Sequence, residues 1–482
     1  MKPKRRINKK TFRWVSDIFS SPVKAFILLA GIFGMLIVFL APPLTGADEE
    51  AHFVRAYGIS QGDFRLYDTR QVSVPESFRK TLGCYQTKTS EPGVMYDYDY
   101  SQYGVSKKLS LSCALGVPLE GDKAELVYTS AQSYSPTTYI PQVIAIFIGR
   151  VFDAPIVVMV YLVRLLVLAA YIFMVVVAIR LLPIRKWALA GIALLPTPMI
   201  LLTNPGGDYM LFGSISILAA VVIRSIFIPR KQLDRENKVL MAILAIAAIM
   251  MVLPKGIFPG ICFLPLVAFY GGLGYQKLRK IFVVASALII GLLWQRFGVN
   301  VDLITMDKGI NSPFDFPIAF LETMFVRWVD TDFVYFGDYV SNASLSGEHL
   351  GMPALIITVI NILFAVYLFV GYPEKAKIQL PKKQVLAFIY TTIICVIAVI
   401  IGSFGALFVG ASYLQTAGTA IRGVQTRYLF PAFFVLAVTP FLRKVFIEDE
   451  KSMARIVIVG SIICLSVLVV VSAIAYRWWN PF

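Results

Sequence analysis

Long apolar runs separated by short charged segments dominate this chain. A transmembrane helix needs about 20 mostly apolar residues, with about 17 as the lower limit. Only 15% of the 482 residues are charged, against roughly a quarter in a soluble domain. The sequence therefore predicts an all-α polytopic membrane protein with about eleven transmembrane helices. The predicted spans cover residues 25–42, 155–179, 187–203, 209–228, 239–253, 257–273, 281–297, 351–371, 385–402, 428–442 and 455–475.

Basic residues set the orientation of these spans. The net charge of +16 is carried by short Lys and Arg clusters between apolar runs. This distribution is typical of cytoplasmic loops facing anionic lipid and argues against a nucleic-acid surface. The basic segment 1–24 precedes the first run, and no small-residue cleavage site follows that run. We therefore expect residues 1–24 in the cytoplasm and 25–42 to be a retained signal-anchor helix.

The stretch Tyr139–Phe152 decides the rest of the topology. It is apolar but only 14 residues long, and it contains Pro141 and Arg150. If it crossed the membrane, the later basic loops would all face outward. If it does not cross, they all face the cytoplasm, as the positive-inside rule requires. We therefore predict a juxtamembrane helix in the outer interface and an extracytoplasmic C-terminus.

This topology places two large segments outside. The predicted units are a cytoplasmic N-terminus at 1–24, a first span at 25–42, an extracytoplasmic loop domain at 43–153, spans two to seven at 154–297, a second extracytoplasmic loop at 298–350, and spans eight to eleven at 351–482. Cys84 and Cys113 both fall in the first outer segment. A disulfide between them is plausible there, and two free thiols are the alternative.

An acidic cluster directly follows the first span. Asp48, Glu49 and Glu50 are adjacent, and His52 and Arg55 follow within two turns. Adjacent helical residues point about 100° apart, so one or two of these carboxylates can face a common pocket. Desolvation near the hydrocarbon edge raises a carboxylate pKa, which suits a general base. The alternative is a helix N-terminus with acidic first-turn residues.

Two charged residues in short turns are predicted to lie on the same side of the membrane as this acidic cluster. Asp208 ends the tight turn Thr203–Asp208, and Lys255 is the basic residue of the turn at 254–256. A cation on the outer side is disfavoured unless it serves an anion such as a lipid phosphate. The structural alternatives are a helix cap for Asp208 and snorkelling towards head groups for Lys255.

Two arginines and a tyrosine lie at the outer start of the tenth span. Arg422, Arg427 and Tyr428 belong to the sequence IRGVQTRYLFP. The forked guanidinium group binds phosphate oxygens in a bidentate way, so this stretch predicts a phosphate clamp. Arg164, inside the second span, needs a buried partner that the sequence does not identify.

The sequence excludes several classes of catalytic site. The chain contains neither a P-loop nor a GxSxG elbow. Its two histidines exclude a histidine-rich metal site. A Mg²⁺ or Mn²⁺ ion bound by carboxylates, with Asp48 and Asp208 as the candidate ligands, remains compatible with the sequence.

Four short motifs, in order, carry a family resemblance. PPLTGADEEAHFVRAYGISQG, YSPTTYIPQ, TNPGGDYMLF and GVQTRYLFPAFF resemble the bacterial membrane protein family catalogued as domain of unknown function 2142. That family in turn resembles the GT-C superfamily of multi-pass glycosyltransferases. The resemblance covers roughly residues 25–445 and places the protein in the bacterial plasma membrane.

The GT-C resemblance implies a fold and a reaction. The pattern has an acidic residue after the first helix, juxtamembrane helices, and an acidic residue in the turn between spans three and four. Asp48 or Glu49 matches the first position and Asp208 the second, although that turn carries a single aspartate. A GT-C-like bundle would transfer a sugar from a polyprenyl-phosphate donor to an extracytoplasmic glycan acceptor, with inversion.

The resemblance also implies residue roles. Asp48 or Glu49 would deprotonate the acceptor hydroxyl, with Asp48 favoured and Glu50 a solvated bystander. The residues expected to contact substrate are His52, Arg55, Asp208, Lys255, Arg422, Arg427 and Tyr428. The alternative functions are a transporter or flippase of lipid-linked glycan intermediates and a non-catalytic protein of envelope assembly. Transporters usually carry internal repeats and mid-membrane charges, which are scarce here.

Overall fold

The structure, a computed structural model, describes the chain in separate ranges. They are residues 18–44, 49–64, 71–84, 109–119, 124–129, 131, 134–201, 205–227, 230–255, 274–294, 297, 374–379, 393, 434–435, 438, 444–448, 450–475 and 479–480. The predicted spans 257–273, 351–371, 385–402 and 428–442 lie wholly or almost wholly outside these ranges. The count of eleven spans therefore remains a prediction.

The described part of the chain is mostly helical. Its helices are α1 (Pro22–Leu40), α2 (Glu49–Ser60), α3 (Glu76–Gly83), α4 (Leu111–Leu115), α5 (Ile140–Val151), α6 (Ile156–Leu181), α7 (Lys186–Ala193), α8 (Pro196–Ile200), α9 (Asp208–Phe227), α10 (Arg230–Lys255), α11 (Gly274–Leu293) and α12 (Glu450–Ala475). Its strands are β1 (Gln71–Pro75), β2 (Leu109–Ser110), β3 (Ala124–Tyr128), β4 (Glu374–Gln379), β5 (Lys444–Glu448) and β6 (Trp479–Asn480).

Three of the described helices are long and apolar enough to cross a membrane. They are α1, α6 and the stretch Asp208–Ser225 of α9. The apolar parts of α10 and α12 are shorter, at Lys238–Pro254 and Ala454–Val470. These helices coincide with predicted spans, which supports an all-α membrane protein.

Helix α6 is the centre of the bundle and packs against α1, α5 and α9. Close approach to α1 requires a glycine, because a Cβ on Gly34 would lie 2.6 Å from Cδ1 of Leu168. Phe26, about two turns before Gly34, and Tyr171, about one turn after Leu168, meet edge to face with ring centroids 6.3 Å apart. Small and aromatic residues thus fix the contact between the first two predicted spans.

The predicted span at 187–203 differs from a single helix. The chain forms α7, leaves helical geometry near Leu194, and begins the short helix α8 at Pro196. A proline disfavours helical geometry in the residue before it and cannot donate to the preceding turn. Hydropathy alone therefore overestimated the continuity of this helix.

Helix α5 fits the predicted juxtamembrane element in length and pattern. Its 12 residues extend for about 18 Å, too short to cross a bilayer. One face is buried through Gln142, Ala145, Ile146 and Gly149. The opposite face exposes Ile140, Ile144, Phe147, Ile148 and Val151. Such an apolar stripe suits a helix that lies along a membrane interface.

The segment between α1 and α5 contains both helices and strands. Strands β1 and β3 pair antiparallel, with Gln71 opposite Tyr128 and Pro75 opposite Ala124. A disulfide joins Cys84 to Cys113 and so ties the end of α3 to α4. Cys84 and Ala114 pack on Val157 at the start of α6. This loop domain is therefore anchored on the helix bundle.

Two further strand pairs join segments that are distant in sequence. β4 pairs with β5, and both come from loops predicted to be cytoplasmic. β2, in the predicted outer segment, pairs with β6 near the C-terminus. Each pair joins segments to which charge counting assigns the same side.

Candidate functional site

Arg164 of α6 is the centre of a buried polar cluster at one end of the bundle. Its guanidinium holds the carboxylate of Glu49, with Nε 2.7 Å from Oε1 and Nη2 2.8 Å from Oε2. Both side chains are fully buried. It also donates to three carbonyl oxygens, those of Val38 (3.0 Å), Ala41 (2.7 Å) and Pro42 (2.8 Å). These bonds use all five guanidinium N–H groups.

This arrangement joins the end of α1 to the start of α2. The carbonyl groups in the last turn of a helix have no partner within the helix, and Arg164 satisfies that of Val38 together with that of the C-cap residue Ala41. Glu49, in the first turn of α2, places negative charge at the positive end of that helix. A buried charge left without its partner costs about 3–5 kcal/mol, so the ion pair fixes where α2 begins.

His52 lies one turn further along α2 in an aromatic setting. Its Nδ1 is 2.7 Å from the hydroxyl oxygen of Tyr139, and its ring meets Tyr134 edge to face at 4.8 Å. Both His52 and Tyr139 are buried. The motif YSPTTYIPQ supplies both tyrosines, so the acidic helix and this motif form one unit.

The same motif contacts the turn before α9. Gln142 Nε2 donates to the carbonyl oxygen of Pro205 at 2.8 Å, and the Tyr209 hydroxyl donates to that of Thr138 at 2.9 Å. Gly207 lies where no side chain fits: a Cβ there would be 2.8 Å from Cγ2 of Thr138. The motifs YSPTTYIPQ and TNPGGDYMLF therefore pack directly against each other.

The end of α10 completes the arrangement. A Cβ on Gly207 would also lie 2.6 Å from Cβ of Pro254, the residue before Lys255. Asp208 begins α9 and is 4% exposed. The backbone segments that carry Asp208 and Lys255 are therefore neighbours. We name Glu49, Arg164, His52, Tyr139 and Asp208 together the outer cluster, after the side of the membrane that the sequence predicts for them.

Arg55 is also buried, but it serves the turn after α2. Its Nη1 and Nη2 donate to the carbonyl oxygens of Asp63 (3.1 Å) and Phe64 (2.8 Å). Burial lowers the pKa of its guanidinium, while Tyr139 and Asp63 act in the opposite direction. Contact between Arg55 and a substrate would require this turn to open.

Several predicted site residues lie outside the described residues. They are Asp48, Arg422, Arg427 and Tyr428. The backbone of Lys255 is described, but its side chain is not. Among the described residues, no group of three or more His, Cys, Asp or Glu side chains is placed to hold a metal ion.

The structure also reveals residues to which sequence reasoning gave no role. Thr138, Gln142 and Tyr209 join the motifs, and each belongs to a quoted motif. Thr138 Oγ1 and Gln142 Oε1 are buried without a hydrogen-bond partner among the described atoms. These two residues lie four positions apart, so the motif carries two buried polar atoms close to its contacts with the turn before α9.

These features define a class of protein: a helical membrane protein with an acidic helix and a loop domain fixed over one end of its bundle. The chain belongs to the family described as a predicted membrane protein, DUF2142, whose model matches residues 31–437. The match spans all of the described elements of the outer cluster. Neither a curated protein nor a solved structure matches the chain.

Proposed function

We propose that this protein is a GT-C-type glycosyltransferase of the bacterial plasma membrane. It transfers a sugar from a polyprenyl-phosphate donor to an extracytoplasmic glycan acceptor, with its N-terminus in the cytoplasm and its C-terminus outside. The observation that carries this proposal is the outer cluster itself. It brings the acidic helix, the juxtamembrane motif and the turn of Asp208 together where the first span ends.

The ion pair supports Asp48 over Glu49 as the proposed base. Both carboxylate oxygens of Glu49 bond to Arg164 in a fully buried site. Both oxygens therefore face Arg164, and the buried side chain offers no surface to an acceptor hydroxyl. Asp48 precedes Glu49 in the chain and is the base in our proposal, with Glu49 a structural anchor for its segment.

The proposed reaction is a single displacement. The Asp48 carboxylate takes the proton of the acceptor hydroxyl, and the acceptor oxygen forms a bond to the anomeric carbon. The bond from that carbon to the phosphate oxygen breaks, the configuration inverts, and polyprenyl phosphate leaves. Lys255, Arg422 and Arg427 would neutralise the leaving phosphate.

A transporter of lipid-linked glycans is the second candidate. The interruption between α7 and α8 favours it, because broken helices are common at transporter binding sites. Against it, the carboxylates of the outer cluster lie in the first turns of their helices, Glu49 in α2 and Asp208 in α9, and only Arg164 lies within a long apolar helix. Sugar transfer and lipid translocation are separable activities, so one assay for each decides between them.

The test is sugar transfer by membranes that contain the wild type or Asp48→Asn. Release of polyprenyl phosphate reports turnover whichever acceptor the membranes supply. We expect a loss of about 10²–10⁴-fold, the usual contribution of a general base. The matched control is Asp153→Asn, an exposed residue with a φ of 47° that asparagine tolerates well. Equal rates for the wild type and Asp48→Asn, at equal protein levels, would refute the proposal.

A further inference from the structure

A groove lies between α10 and α11, away from the outer cluster. It has a volume of about 560 Å³ and is lined by Lys238, Met241, Leu278, Arg279, Phe282 and Val283. We name these six residues the basic groove. Leu278 and Phe282 are 68% and 72% exposed, so large apolar side chains stand beside two cations.

The two helices present their charge at the same end. They run parallel, because α10 meets α11 at the basic groove and again further on, where a Cβ on Gly291 would lie 3.2 Å from Val252. On α10, Met241 follows Lys238 by one turn. On α11, Phe282 and Val283 follow Arg279 by one turn. The groove is thus cationic at one end and apolar at the other.

We propose that the basic groove binds one anionic phospholipid, such as phosphatidylglycerol. Its phosphate lies between Lys238 and Arg279, and an acyl chain lies along Met241, Phe282 and Val283. Charge complementarity carries this assignment, because basic pockets between membrane helices suit anionic head groups. The sequence predicts that these helix ends lie at the cytoplasmic leaflet. This is the leaflet where basic clusters meet anionic lipid.

A soluble anion fits the groove less well than a lipid does. Inorganic phosphate would use the two cations and leave the exposed apolar surface of Leu278 and Phe282 uncovered. A zwitterionic lipid would use the apolar end but would bring its own cation to Lys238 and Arg279. The combination of both ends selects an anionic amphiphile.

The experiment measures lipid binding by the full-length protein in detergent, with native mass spectrometry. Phosphatidylglycerol is the probe, phosphatidylcholine tests the head-group charge, and glycerol phosphate tests the free anion. Each basic residue contributes about 1 kcal/mol near an anionic surface. We therefore expect Lys238→Gln or Arg279→Gln alone to weaken phosphatidylglycerol binding about 5-fold, and the double variant about 30-fold.

The matched control removes two other exposed cations predicted to face the same side. These are Arg180 on α6 and Arg455 on α12, changed together to glutamine. The control should bind phosphatidylglycerol as the wild type does, and Phe282→Ala should weaken binding without altering the preference for negative charge. Equal losses in both double variants, no loss in either, or full displacement by glycerol phosphate would overturn the proposal.

Discussion

The outer cluster and the basic groove use charge in opposite ways, although α10 lines the groove near one end and packs beside the turn of Asp208 at the other. In the outer cluster, Arg164 is buried, and each of its N–H groups meets an acceptor. In the basic groove, Lys238 and Arg279 are exposed beside apolar side chains. From Lys238 to Pro254 the helix rises about 24 Å at 1.5 Å per residue. A buried, fully bonded charge fixes structure, whereas an exposed charge can be reached by a ligand.

The largest expected effect comes from removing the cation of the outer cluster. Arg164→Met leaves Glu49 buried without its partner and deprives the end of α1 of its hydrogen bonds. We expect a loss of about 3–5 kcal/mol in unfolding free energy, measured by thermal unfolding in detergent. Arg180→Met, at the exposed end of the same helix, should stay within about 0.5 kcal/mol of the wild type. Equal melting of the two variants would contradict the contrast drawn above.

The disulfide should have the next largest effect. Cys84→Ser with Cys113→Ser opens a link that spans 29 residues, which on loop-entropy grounds is worth about 3–4 kcal/mol. Limited proteolysis should then cut the loop domain between α1 and α5 faster than in the wild type. Thiol labelling of the unfolded wild type should increase after reduction, and equal labelling before and after reduction would show that no bridge forms.

A smaller loss is expected at the junction of the motifs. Gly207→Ala places a Cβ 2.6 Å from Cβ of Pro254 and 2.8 Å from Cγ2 of Thr138. Overpacking of this kind costs about 1–3 kcal/mol. Gly31→Ala is the control, since a Cβ there meets nothing within 4 Å and alanine favours the helix. Wild-type stability for Gly207→Ala would show that the turn and α10 are not held together.

The smallest expected effect is a difference between the two regions in their response to salt. The Debye length falls from about 10 Å at 0.1 M to about 3 Å at 1 M, and exposed charges are screened far more than buried ones. Phosphatidylglycerol binding at the basic groove should therefore weaken with added salt, while the stability difference between the wild type and Arg164→Met should hardly change. A stability difference that also disappears in salt would place Arg164 in solvent.

The sequence predicted the bundle better than it predicted the cluster. Apolar runs located α1, α6 and α9, and charge counting separated α5 from the spans. The need of Arg164 for a partner was visible, but Glu49 is 115 residues away and sits among three adjacent carboxylates. No local pattern tells which of the three faces α6. The break before α8 was missed because hydropathy averages over Pro196.

Sequence separation also explains the roles that were missed. Tyr139, Gln142 and Tyr209 matter through contacts with elements 63 to 87 residues away. The short motifs that contain these residues could be recognised in the sequence. Their spacing along the chain, however, does not reveal contacts between distant segments. The phosphate-clamp residues Arg422 and Arg427 lie outside the described residues and remain a prediction.

A double-mutant cycle on Arg164 and Glu49 tests the central claim most directly. The variants are Arg164→Met, Glu49→Leu and the two combined, and the measurement is the unfolding free energy in detergent. If the ion pair fixes α2 to the end of α1, each single variant is strongly destabilised and the double variant recovers a large part of that loss, with a coupling of about 2–3 kcal/mol. Additive losses, with no coupling, would show that the two side chains do not act as a pair.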